Sequence, residues 1–117
     1  MRERGAYAAA LVRVAGRWRA DLSGKVRIRI LGPDPGERTG TMPQVAVEMF
    51  SPAPLVESGL WVDGVVLDVK GGGTPRRGTI YGAPSTPLAP GPHVATAFAR
   101  SGRDATAVAW TFTVARA

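Results

Sequence analysis

The sequence predicts an all-β fold, an antiparallel sandwich of about seven to nine short strands. Three observations predict it. Apolar residues alternate with polar ones in short runs and do not recur at helical spacing. Fifteen glycines and ten prolines in 117 residues cut the chain into short elements joined by tight turns. No strand-then-helix alternation signals a parallel sheet. A chain of this length hides roughly two thirds of its unfolded surface on folding, enough for one core. The expected organisation is a single domain over 1–117. Residues 1–40 supply basic N-terminal strands or an arm, and 41–117 supply the core of the sandwich.

The elements follow in order. Ala9 to Val14 is a first strand, turning at Gly16 into Arg17 to Leu22 as a hairpin; Ala8 to Leu11 reads equally as a helical turn, because alanine is the best helix former. Lys25 to Leu31 alternates cleanly, with Val26, Ile28 and Ile30 on one face and Lys25, Arg27 and Arg29 on the other. Three cations on the open face also deter edge-to-edge pairing. Gly32 to Gly40 holds two prolines and three glycines, which predicts irregular structure. Gln44 to Phe50 alternates again, with Val45, Val47 and Met49 inward. Leu60 to Val62 ends at Asp63-Gly64, a hairpin turn signal, and Val65 to Val69 returns. Gly71 to Gly78 reads as a flexible loop, and Thr79 to Tyr81 as a short strand. Val94 to Ala99 and Ala107 to Val114 form a closing hairpin, with Val108, Trp110, Phe112 and Val114 on its core face.

From residue 44 onward the order of motifs resembles immunoglobulin-like (Ig-like) modules of bacterial secreted and surface proteins. The pieces are Gln44-Val45-Ala46-Val47-Glu48-Met49-Phe50-Ser51-Pro52 and Ser58-Gly59-Leu60-Trp61-Val62-Asp63-Gly64. Then come Thr79-Ile80-Tyr81-Gly82-Ala83-Pro84, Pro87-Leu88-Ala89-Pro90-Gly91-Pro92-His93-Val94 and Ala107-Val108-Ala109-Trp110-Thr111-Phe112-Thr113-Val114. The turn Ser101-Gly102-Arg103-Asp104 and the pair Gly82-Ala83 depart from that pattern. The resemblance implies an Ig-like antiparallel β-sandwich and a non-catalytic spacer, adhesion or assembly module. It also implies an extracellular or cell-surface setting.

Charge is unevenly placed. The formal net charge is +6. Residues 1–30 hold eight basic and two acidic side chains, a net of +6, while residues 31–117 hold seven of each sign. Arg13, Arg17, Arg19, Lys25, Arg27 and Arg29, with Trp18 among them, form a candidate strip for a polyanion such as nucleic acid or an acidic polysaccharide. The same charges also suit a solvated strand face. Trp18 either stacks on a base or sugar beside those cations or anchors the N-terminal strand.

Composition excludes much chemistry. There is no cysteine, so disulfides, thiolate metal sites and cysteine nucleophiles are excluded. With one histidine, a catalytic triad would have to use His93, and none of Ser51, Ser58, Ser85 or Ser101 sits in a nucleophile elbow. Asp63, Asp68, Asp104 and Glu57 match no calcium-loop spacing. Gly71-Gly72-Gly73-Thr74-Pro75-Arg76-Arg77 lacks the lysine and helix of a phosphate-binding loop and reads as a hairpin loop whose Arg76 and Arg77 would add to an anion surface. No stretch approaches the roughly 20 apolar residues of a membrane span. The apolar run Ala6 to Val12 ends too soon at Arg13 for a signal peptide. No enzyme activity, cofactor, metal or small-molecule substrate is expected. Two readings remain. One is a structural or adhesion module contacting protein, glycan or copies of itself at a cell or virion surface. The other is a module that binds an anionic polymer through the N-terminal strip.

Overall fold

The computed structural model describes residues 25–102 and 104–116, together with the backbone of residues 19–21. Ten strands and no helix lie among them: β1 (Arg19–Asp21), β2 (Arg27–Gly32), β3 (Arg38–Thr39), β4 (Val45–Phe50), β5 (Glu57–Val62), β6 (Val65–Val66), β7 (Lys70–Thr74), β8 (Arg77–Gly82), β9 (Gly91–Arg100) and β10 (Ala105–Val114). They form two sheets. The six-stranded sheet runs β1-β10-β9-β5-β6, with β3 also against β10. The four-stranded sheet runs β2-β4-β8-β7. This is the all-β sandwich that the alternation predicts.

The core lies between the sheets because every long strand is apolar at alternate positions. Val45, Val47 and Met49 of β4, and Ile80 of β8, point inward from the four-stranded sheet. They meet Leu60 and Val62 of β5, Ala95, Ala97 and Ala99 of β9, and Trp110, Phe112 and Val114 of β10. Burying one large apolar side chain contributes about 1.5–3 kcal/mol. The small alanines of β9 leave room for Trp110 and Phe112 beside them. Val26, just before β2, is fully buried, and Ile28 and Ile30 pack on the same core. Two polar ties cross between the sheets. Thr106 Oγ1 donates to the Val26 carbonyl at 2.5 Å, and the Trp110 indole N–H donates to the Pro33 carbonyl at 2.8 Å. A second apolar cluster of Trp61, Phe98, Ala105, Ala107 and Ala109 is also buried. Trp61, read from the sequence as core, therefore belongs to this second cluster.

Several elements differ from expectation. Gly71 to Gly73 is an edge strand, paired with β8 in the register Gly71↔Ile80, Gly72↔Thr79 and Gly73↔Gly78. Glycine permits this because the two strands approach so closely. A Cβ on Gly71 would lie 2.3 Å from the Thr79 carbonyl oxygen, and one on Gly73 would lie 2.4 Å from that of Arg77. The segment from Gly32 to Gly40 is not wholly irregular. Within it β3 lies parallel to β10, Arg38 opposite Thr113 and Thr39 opposite Val114, so one strand pair breaks the antiparallel rule. The return strand after Asp63-Gly64 is only Val65–Val66, because Leu67 turns inward and its N–H donates to the Leu60 carbonyl. The first strand of the predicted N-terminal hairpin, Ala9 to Val14, lies outside the described residues. Of its second, Arg19–Asp21 pairs with β10, Arg19 opposite Val108.

Candidate functional site

Strand β2 puts its cations on the outer face of the four-stranded sheet, and register supplies the rest. Arg27 lies opposite Phe50, and Phe50 opposite Arg77. Arg29 lies opposite Glu48, and Glu48 opposite Thr79. Tyr81 lies opposite Lys70 on the adjoining strand. With strands about 4.8 Å apart, Arg27 and Arg77 flank Phe50 with their Cα atoms about 10 Å from each other. The Arg77 guanidinium stands 5.2 Å from the Phe50 ring centroid, a cation–π contact. Arg27, Arg29, Arg77, Lys70 and Tyr81 are exposed, and Phe50 is half-buried.

Glu48 organises this face. Arg29 Nη2 donates to its Oε1 at 2.5 Å, and Arg77 Nε donates to its Oε2 at 3.1 Å. Its side chain is only 12% exposed, so the two arginines cover it. Those hydrogen bonds, first Arg29 and then Arg77, hold its carboxyl below the usual carboxylate value against the opposing effect of burial. Glu48 thus fixes two guanidiniums side by side and leaves their remaining N–H donors facing solvent.

The structure divides the basic strip read from the sequence. Arg27 and Arg29 are exposed on β2, and Lys25 is exposed two residues before it. Arg19 lies in β1, at the edge of the other sheet. Arg13, Arg17 and Trp18 lie outside the described residues. The residues the sequence reading missed on this face are Phe50, Lys70, Tyr81 and the organising Glu48; Arg77, read with Arg76 as a loop cation adding to an anion surface, stands instead in β8. The signal for Arg77 is the alternation Arg77, Thr79, Tyr81 around the buried Ile80, extended two residues upstream of the expected strand.

Of the other chemical candidates, His93, Asp63 and Glu57 are committed to structure. His93 Nδ1 meets Asp63 Oδ2 at 2.5 Å, and its Nε2 meets the Ala89 carbonyl at 2.7 Å. Both partners are acceptors, so only the imidazolium, with an N–H on each nitrogen, satisfies both. The other Asp63 oxygen accepts the Val94 N–H at 2.9 Å, and the His93 ring stacks on Phe112 at 5.7 Å. Asp63 itself sits at φ 51° in the turn. No serine hydroxyl reaches His93, so the nucleophile–base pair of a triad is not assembled among the described residues. Glu57 accepts from Arg100 at 3.1 Å, and the four acidic residues Asp63, Asp68, Asp104 and Glu57 do not converge. No three His, Cys, Asp or Glu side chains converge among the described residues.

This clamp makes stability depend on pH. Burial pulls the His93 pKa down, but the hydrogen bond to Asp63, the bond to Ala89 and the Asp63 charge together raise it above 6.5. The stabilisation is therefore complete below about pH 6.5 and is lost as pH rises through the higher folded value. Glu48 acts in the opposite direction: its contribution is present above about pH 4.5 and is lost as pH falls through its lowered folded value. The thermal midpoint of the parent protein should fall between pH 6 and pH 9, and much less so in Asp63→Asn, which keeps an acceptor for Val94 but loses the charge. An equal slope in both proteins would remove His93 as the cause.

No family model matches the chain, and no curated protein matches it. Among solved structures it is similar to the crystal structure of CopC from Methylosinus trichosporium OB3b, with a TM-score of 0.50 and 20% identity over 76% of this chain and 94% of that one. At that identity the likeness supports the β-sandwich fold and carries nothing about activity.

Proposed function

We propose that the chain is a non-catalytic, Ig-like binding module that holds an acidic polysaccharide on the outer face of its four-stranded sheet. The observation that carries this reading is the row Arg27, Phe50, Arg77, with Arg29 pinned beside it by Glu48. Guanidinium forks take carboxylate or sulfate groups, and the aromatic ring between them suits the apolar face of a sugar. Glu48 favours a sugar polymer over nucleic acid. Duplex DNA carries one charge per about 1.7 Å of axis. So dense an array would bring phosphates against the carboxylate, whereas a polymer with one anion per sugar can straddle it. The Ig-like assignment is supported by strand order. β2-β4-β8-β7 follows the A-B-E-D order of such domains, and β10-β9-β5-β6 follows the G-F-C order with one added strand.

The test is binding of the full chain to polygalacturonate, which carries one carboxylate per sugar, and to duplex DNA, at low salt and at about 0.15 M. The triple variant Arg27→Gln, Arg29→Gln, Arg77→Gln should lose about tenfold or more in affinity for polygalacturonate and show a shallower salt dependence. Phe50→Ala should weaken binding several-fold and leave the salt slope unchanged. Equal affinity of parent and triple variant, or no parent binding at 0.15 M, would sink the proposal. Stronger binding to DNA than to polygalacturonate would move it to nucleic acid.

A further inference from the structure

A separate cleft lies where β6 faces the segment that follows β8. Its volume is about 300 Å³. Val65, Val66 and Leu67 form one wall, and Pro84 and Leu88 the other. Val65 and Val66 are 66% and 58% exposed, two of the three most exposed large apolar side chains among the described residues. The clamp described above ties the walls together. Asp63 belongs to the turn before β6, Ala89 ends the opposite segment, and His93 bonds both. The cleft is therefore a braced feature of the fold.

Its charge selects an occupant. The chain carries +6 overall, yet no basic residue is among those lining the cleft. Its ionisable side chains are Asp63 and Asp68. Both Asp63 oxygens are taken, by His93 and by the Val94 N–H. Asp68 is exposed and makes no ion pair or hydrogen bond through its side chain among the described residues. Lys70 shares only the neighbouring groove with it and forms no ion pair there. One unspent carboxylate beside an apolar hollow matches one cation on an apolar chain. A cleft at the small end of the range for ligand sites matches a small ligand.

We propose that this cleft binds a small aliphatic group bearing a single cationic head, a primary alkylammonium, with its chain against Val65, Val66 and Leu88 and its head on Asp68. The site is independent of the polymer-binding face, and either stands if the other fails.

The experiment is an amide NMR titration of the full chain with n-butylammonium, n-hexylammonium and hexanoate at matched ionic strength. Hexylammonium should shift the amides of Val66, Asp68, Ser85 and Thr86. It should bind about fifteenfold tighter than butylammonium, since each of the two added methylenes, when buried, brings roughly a fourfold gain. Hexanoate should bind several-fold more weakly. Asp68→Asn should erase the preference between ammonium and carboxylate and keep the dependence on chain length. Val66→Lys, at an exposed position that leaves the core intact, should abolish hexylammonium binding while the melting temperature is unchanged. Equal binding of hexylammonium and hexanoate to the parent overturns the proposal, as does no gain from the added methylenes. So do shifts confined to other residues, or no saturable shift at all.

Discussion

Replacing Trp110 with alanine is expected to lower the unfolding free energy by about 3–5 kcal/mol, the largest loss of any single side chain among the described residues. Trp110 is 1% exposed, sits in β10 midway across the core and is the largest fully buried side chain among the described residues. Alanine leaves a cavity that the small neighbours Ala95, Ala97 and Ala99 cannot fill. The indole also holds the chain after β2 in place by donating to the buried Pro33 carbonyl. Trp110→Phe separates the two contributions. It keeps most of the ring and removes the donor, so its loss should be nearer 1–3 kcal/mol, about that of a buried acceptor left unpaired. Urea unfolding checks both: the midpoint should move and the slope should not. A loss below about 1 kcal/mol for Trp110→Ala would contradict its central place in the core.

The second large effect divides three adjacent residues of one type. Gly71→Ala and Gly73→Ala should each cost about 2–3 kcal/mol or unpair β7 from β8. The atoms that a new Cβ would meet at 2.3 and 2.4 Å are backbone carbonyl oxygens, and no rotamer change moves them aside. Gly73 adds a φ of 116°, which side-chain-bearing residues rarely adopt. Gly72 differs: nothing lies within 4 Å of its would-be Cβ. Gly72→Ala should be neutral or stabilise by about 0.5 kcal/mol, because alanine loses less backbone freedom in a strand. Thermal melts and amide exchange at β8 distinguish the three. Equal effects at all three positions would mean that the close approach of β7 to β8 does not govern them.

Alternation made β2, β4 and the closing hairpin legible, because in each of them apolar residues at alternate positions pack on the core. It failed at β7, where glycine carries no alternation and a backbone approach defines the strand. It failed also at β3, two residues long inside a proline-rich segment and paired with a strand more than seventy positions later. The candidate face was half legible. Arg27 and Arg29 stand in one strand with Lys25 two residues before it, and show themselves. Glu48, Arg77, Phe50 and Tyr81 reach the face from strands distant in sequence, through register that composition does not encode. The Asp63-Gly64 turn was legible as a turn, but the partnership of Asp63 with His93, thirty positions away, was not.

Strand β10 is the longest apolar edge this fold could offer to a neighbouring molecule. It is occupied twice by its own chain. β1 runs antiparallel against residues 106–108, β3 runs parallel against 113–114, and the Gly36 N–H bonds the Thr111 carbonyl between them. Two short segments thus satisfy backbone groups that would otherwise template the stacking of molecules into fibres. Their worth lies less in folding energy than in colloidal behaviour: they keep a strand of alanine, valine, tryptophan and phenylalanine from becoming the seed of an aggregate.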